Sequence, residues 1–160
     1  MAGVHVTNRK EFEKKLRSLE LTVSNDTKAA TLTFAGEHFD SGTWFEHLSA
    51  SVIGPNQASK GFVSNRESAP TGVTGGLTFK IEQKNRKDKY LRIGFTNPFL
   101  GSFKTYIGIG GSPGAKLGYE NAEDDSHKLR VLDEYKVEAV LTAAQEGGDK
   151  QMIFTISDSK

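Results

Sequence analysis

The sequence predicts a mainly β protein, a β-sandwich or barrel flanked by one or two short helices. Many short segments alternate apolar and polar residues with a period of two, and Gly, Pro, Asn or Asp stand between them. A helical period is clear only near the N-terminus. With 160 residues, 17 glycines and four prolines, the chain fits one domain, 1–160, large enough to bury a core without cross-links.

In chain order, Asn8 followed by Glu11 has the form of a capping box. Phe12, Leu16 and Leu19 then recur at helical spacing, which predicts an amphipathic helix over residues 9–19. Residues 19–23 and 30–34 read as a hairpin or two neighbouring strands around the turn Ser24, Asn25, Asp26, Thr27. Further strands are expected at 50–53, 61–64, 76–82, 90–96, 105–109, 115–119, 135–142 and 152–157. The charged run 83–89 reads as a solvated hairpin tip, and residues 121–132 as a second short helix on one sheet. No internal repeat or low-complexity block is present.

Several function classes are excluded or weakened by composition. The absence of cysteine removes disulfides, thiolate metal sites and a cysteine nucleophile. Twenty-one basic against 20 acidic side chains give a net charge of +1, which supplies no steering toward nucleic acid. The N-terminal residues contain no signal-peptide core, and no segment approaches the roughly 20 apolar residues of a membrane-spanning helix. The chain is therefore expected to be soluble, cytoplasmic or released without a leader, and to act at target membranes. No catalytic constellation is visible: G-x-S-x-G and H-E-x-x-H are missing, and the glycine-rich run 108–114 lacks the Lys-Ser/Thr ending of a phosphate loop. His38 and His47, nine apart, lack the close spacing of metal ligands, and Glu123, Asp124 and Asp125 lack the alternating oxygens of a calcium loop. The reading is a binding protein, not an enzyme, with no cofactor.

Residues 90–109 are the most informative stretch. An alternating strand runs into Asn97-Pro98, where proline removes a ladder donor and ends the strand. Beyond it, Phe99, Leu100 and Phe103 continue the apolar character among Gly101 and Ser102, a composition that suits a loop tip touching something apolar. Residues 69–79 combine a proline, Thr71, Thr74 and the glycines Gly72, Gly75 and Gly76 ahead of a strand. Glycine there permits close approach of a backbone or a ligand, or marks a bulge at a sheet corner.

Together these segments resemble the actinoporin-like family of small cytolysins and fungal fruit-body lectins. Pro70 to Phe79 stands where the family has a small-residue run. Phe95, Thr96, Asn97, Pro98 and Phe99 stand at its F-S-x-P corner, and Phe39 to Thr43 at its aromatic-x-Ser-Gly-Thr turn. The similarity covers about residues 20–110. It implies a β-sandwich with flanking helices whose end loops receive a phosphocholine headgroup, typically of sphingomyelin. In the family, an N-terminal helix then enters the bilayer and oligomers form on the membrane. Ser41, Thr74, Thr96 and Pro98 match headgroup-pocket positions, with threonine replacing valine and serine at the second and third. The family's loop tyrosine falls on Lys104, its paired tryptophans fall near Ile107 and Gly108, and Tyr119 is what remains of its later tyrosines. Lys104 is then a candidate phosphate contact. Trp44, Phe45, Phe99, Leu100 and Phe103 are candidate anchors at the membrane interface.

A helix over residues 9–19 would extend only about 16 Å, against a hydrocarbon core of roughly 30 Å. Two readings therefore stand side by side. One is a membrane-lipid headgroup-binding protein of the phosphocholine or sphingomyelin type, with pore formation as its extension. The other is a carbohydrate-binding lectin in which Ser41, Thr74, Thr96 and Asn97 meet sugar hydroxyls.

Overall fold

The computed structural model describes residues 5–66, 71–123, 127–132 and 134–160. Ala69 and Pro70 of the glycine-rich segment and Asp124 and Asp125 of the acidic trio lie outside the described residues.

Two sheets face each other. The first has six strands: β1 (Ser18–Asp26), β3 (Thr43–Glu46), β5 (Gln57–Ser64), β9 (His127–Leu132), β10 (Tyr135–Ala143) and β11 (Lys150–Asp158), in the order β3-β5-β1-β11-β10-β9. The second has five: β2 (Thr31–Ser41), β4 (Val52–Ile53), β6 (Val73–Glu82), β7 (Lys89–Asn97) and β8 (Lys104–Gly110), in the order β4-β2-β6-β7-β8. Neighbours run antiparallel except β1 and β11, which pair in parallel. Inward residues of both sheets, among them Leu19, Leu21, Val23, Leu77, Phe79, Leu91, Ile93, Phe95, Phe154 and Ile156, make one fully buried core. Period-two alternation is what delivers those side chains to a single face.

A smaller cluster sits outside the six-stranded sheet. Helix α1 (Arg9–Glu13) is capped by Asn8, whose side chain accepts from the Glu11 amide at 3.3 Å. Its Phe12 is fully buried against Phe62 and Phe45, with ring centroids 5.3 and 5.2 Å apart. The helix is shorter than the expected 9–19 because Leu19 belongs to the strand alternation Leu19, Leu21, Val23. Leu16 is left 55% exposed between the two elements.

Other expectations are corrected as well. The segments 19–23 and 30–34 are not a hairpin: β1 and β2 lie in different sheets. The buried Asn25 side chain carries the chain across, donating to the carbonyls of Ala30 at 2.8 Å and Ile53 at 2.9 Å while accepting from the Thr27 amide. Residues 115–119 form helix α2 (Ala115–Glu120), not a strand. Residues 121–132 contain β9, not a helix, and β9 is an edge strand paired with β10. β3 had no counterpart among the expected strands. The charged run between β6 and β7 is a tight turn, with Asn85 in the left-handed region and the Arg86 amide donating to the Gln83 carbonyl.

The glycines explain where α2 sits. Gly76 and Gly94 are cross-strand partners in β6 and β7. A Cβ on Gly76 would overlap the Ala115 carbonyl, and one on Gly94 would overlap the Gly118 carbonyl. The helix backbone therefore lies directly on the outer face of the five-stranded sheet, a contact that only glycine permits.

Candidate functional site

At one end of the sandwich the strand ends, the corner after β7 and the end of α2 enclose a hollow of about 430 Å³. Thr74 and Thr96 are register partners on β6 and β7, and their hydroxyls hydrogen-bond to each other. Pro98, Leu100, Gly101 and Ser102 supply one wall, Lys104 opens β8, and Tyr119, Glu120 and Ala122 close the side opposite. Pro98 ends β7 at Asn97 as its missing donor requires. Gly72 fits tightly behind it, since a Cβ there would strike the Asn97 carbonyl and the Pro98 Cα.

Of the six residues expected at a headgroup pocket, Thr74, Thr96, Pro98, Lys104 and Tyr119 line this one hollow. Ser41 sits across from Thr74 at the end of β2, outside the lining. Asn97, expected to meet sugar hydroxyls, is buried instead. Its amide donates to the Ser18 carbonyl at 3.2 Å and to Asp149 at 2.8 Å.

The aromatic and apolar candidates divide. Phe99 and Leu100 are 41% and 84% exposed. Trp44 and Phe103 pack partly buried against the main core, and Phe45 packs against Phe12, so these three are not free tips. Trp44 also donates to Glu37 at 2.8 Å and packs at a tilt against His47, with ring centroids 4.3 Å apart. Apolar exposure among these candidates thus concentrates in Phe99 and Leu100.

Arg17 fixes that tip. Its guanidinium donates to the Pro98 carbonyl at 3.2 Å and the Phe99 carbonyl at 2.9 Å, and lies 5.1 Å from the centre of the Phe99 ring. A planar fork with several donors suits two adjacent carbonyls and an aromatic face at once. Nothing local in the sequence signals this role of Arg17, because its partners lie over 80 residues away.

Glu120 was missed as well. With Lys104 it gives the hollow one carboxylate and one ammonium, flanked by hydroxyls and one phenol. Burial first, and then the nearby Asp40 and Glu120 carboxylates, push the Tyr119 phenol above its ordinary range, so it stays neutral at physiological pH. The His38 ring stacks on Tyr119 in near-parallel fashion, with centroids 5.5 Å apart and 9° between planes. His47 packs at a tilt against Trp44, so the two histidines serve different aromatic contacts.

The architecture is a two-sheet β-sandwich with two short helices among the described residues. The crystal structure of the lipid-binding protein Nakanori is similar over 99% of this chain and 73% of its own, with a TM-score of 0.66 and 15% sequence identity. The structure of RahU protein in complex with a Tris molecule is similar over 90% of this chain and 96% of its own, with a TM-score of 0.55 and 10% identity. Likeness at such identities establishes shared fold. No family model and no curated protein sequence matches the chain.

Proposed function

We propose that the protein binds the zwitterionic headgroup of a phosphocholine lipid such as sphingomyelin, with Phe99 and Leu100 entering the lipid interface beside it. The observation that carries this reading is the hollow's mixed chemistry next to an exposed apolar tip. Lys104 and the hydroxyls of Thr74, Thr96 and Ser102 suit phosphate oxygens, while Glu120 and the Tyr119 ring suit a quaternary ammonium. A net charge near zero is consistent with a neutral membrane target, since attraction then comes from contact and not from a long-range field. The lipid-binding description of Nakanori supports the same class of ligand.

Among the described residues no helix is long and apolar enough to cross a membrane. The five residues of α1 reach only about 8 Å at 1.5 Å per residue. The reading favoured is therefore attachment at the membrane surface, with pore formation as a separate question for dye release.

Co-sedimentation with vesicles of phosphatidylglycerol alone, and of the same lipid containing sphingomyelin, tests the proposal. Binding should require sphingomyelin, and Lys104→Ala and Glu120→Gln should each weaken it by about tenfold, the scale of one lost charged hydrogen bond. Equal binding to both vesicles would reject headgroup recognition. Release of trapped dye would add the pore; its absence alongside binding would leave a peripheral lipid binder.

A further inference from the structure

A second hollow lies at the end of the sandwich away from the first. Thr74 and Thr96 stand near one end of β6 and β7, and the turn joining these strands at their other end, residues 83–88, is roughly 26 Å away along β6. Beside that turn, Tyr135 at the start of β10 pairs with Asp158 at the end of β11. The Ser159 amide donates to the Glu134 carbonyl at 3.0 Å, and the Lys28 amide to an Asp158 carboxylate oxygen at 2.9 Å. These segments, drawn from both sheets, enclose about 500 Å³ lined by Lys28, Gln83, Arg86, Glu134, Asp158 and Lys160, with Ser159 between the last two.

Two observations point to an anionic ligand. The first is that Arg86 is oriented by the protein itself. Its amide donates to the Gln83 carbonyl at 3.1 Å, its Nη1 donates to Gln83 Oε1 at 3.1 Å, and its guanidinium carbon lies 5.5 Å from the centre of the Tyr135 ring. Gln83 Oε1 is fixed in turn by the hydroxyl of the buried Tyr135 at 2.8 Å. A guanidinium held along one edge keeps its remaining N–H groups in a planar fork, the geometry that grips an oxyanion through two oxygens. The second observation is the state of the charges. Both carboxylates of the lining are already engaged, Glu134 by Lys89 Nζ at 3.3 Å from each of its oxygens and Asp158 by the Lys28 amide. Neither the exposed Lys28 ammonium nor the Arg86 guanidinium has an ion-pair partner among the described residues.

We propose that this hollow binds a phosphate monoester group. Two phosphate oxygens accept from the Arg86 fork and a third from Lys28 Nζ, while Lys160 adds to the positive field. A carboxylate has two oxygens and a single charge and would answer only one of the two cations; a phosphate dianion answers both. The volume leaves room for the group that carries the phosphate. Because the hollow lies away from Phe99 and Leu100, a soluble phosphate ester reaches it while the apolar tip sits in a lipid surface. None of its residues lines the headgroup hollow, so the two sites stand or fall separately.

The test is an amide-resolved NMR titration of the full chain with inorganic phosphate and with glycerol 3-phosphate, at about pH 7.5, where a phosphate monoester is mostly dianionic. Acetate at matched ionic strength serves as comparison. The Arg86 side-chain N–H and the backbone amides of Lys28 and Arg86 should shift saturably with glycerol 3-phosphate and far less with acetate. The midpoint should be unaffected by Lys104→Ala, which separates this site from the headgroup hollow. Arg86→Gln and Lys28→Gln should each weaken binding about tenfold, and Arg86→Lys should recover only part of the loss. Lys28→Gln, at an exposed position, guards against a folding artefact through its unchanged melting midpoint. Co-sedimentation with phosphatidylglycerol vesicles, with and without phosphatidic acid, identifies the source. Dependence on phosphatidic acid that Arg86→Gln abolishes assigns the phosphate to a lipid, and saturation by glycerol 3-phosphate without that dependence assigns a soluble ester. The proposal is overturned if neither phosphate compound moves these signals at tens of millimolar, if acetate moves them equally well, or if both glutamine variants bind like the parent.

Discussion

Arg17 is the residue on which the exposed tip depends. The carbonyls of Pro98 and Phe99 point at one guanidinium, and the Phe99 ring lies beside it, so three contacts from a single side chain hold a loop that has little other cover. Lysine has one point charge and no fork, and would keep the attraction without the geometry. Arg17→Ala should therefore cut vesicle binding severalfold, while Arg17→Lys recovers only part of it. Both should melt within a few degrees of the parent, since exposed contacts of this kind contribute about 1 kcal/mol or less. A melting midpoint that falls steeply would mean that Arg17 supports the sandwich as a whole and does not act on the loop.

Helix α2 shows how an element is set by what it rests on. Its glycine contacts with β6 and β7 leave no room for a methyl group, so Gly94→Val should destabilise the protein by about 2 kcal/mol or more and displace Tyr119 and Glu120 from the hollow. Thermal unfolding reads the first effect and loss of vesicle binding the second; a variant that melts and binds like the parent would contradict the close-contact account. The same glycines explain what could be read from the chain beforehand. Gly72, Gly75 and Gly76 signalled close backbone approach, and the Asn97-Pro98 corner signalled a strand end, because both rest on local backbone rules. The helical state of Ala115–Glu120 was not legible: Ala115, Leu117 and Tyr119 alternate like a strand, and only the glycine floor beneath them, distant in sequence, selects a helix. β9 misled in the opposite direction, since an edge strand whose Leu129 and Val131 stay exposed need not alternate apolar-in, polar-out. In the hollow, the residues Thr74, Thr96, Pro98 and Lys104 sit on strands and a corner whose order was readable. Glu120 and Arg17 arrive by tertiary placement alone.

Across the whole molecule, the N-terminal segment is tied to the far end of the chain. The His5 ring lies 2.9 Å from the Glu146 carboxylate. Burial pushes the Glu146 carboxyl up, but the His5 hydrogen bond and charge, Lys60 and the Val6 amide outweigh it, and the group is held below its ordinary value. A depressed carboxyl contributes stability that is fully present above the unfolded-state value and disappears as pH falls through the folded one. The tether should accordingly loosen as pH falls below the ordinary carboxylate range. Hydrogen exchange of the Val6 and Thr7 amides should accelerate over that fall in pH in the parent and be already fast at neutral pH in Glu146→Gln. Exchange unaffected by both acid and the substitution would show that the segment is held without Glu146, by the Thr7 amide on the Glu46 carboxylate and by the packing of Val6 and Phe12.

The central claim is that an uncovered apolar tip beside a zwitterion-matched hollow brings this fold to a lipid surface. Co-sedimentation of the Phe99→Ala, Leu100→Ala double variant with sphingomyelin-containing vesicles, alongside its melting midpoint, tests it most directly. The account predicts that vesicle binding disappears while the midpoint stays near that of the parent. Retained binding, or a collapse in stability that makes the two residues part of the core, would contradict it.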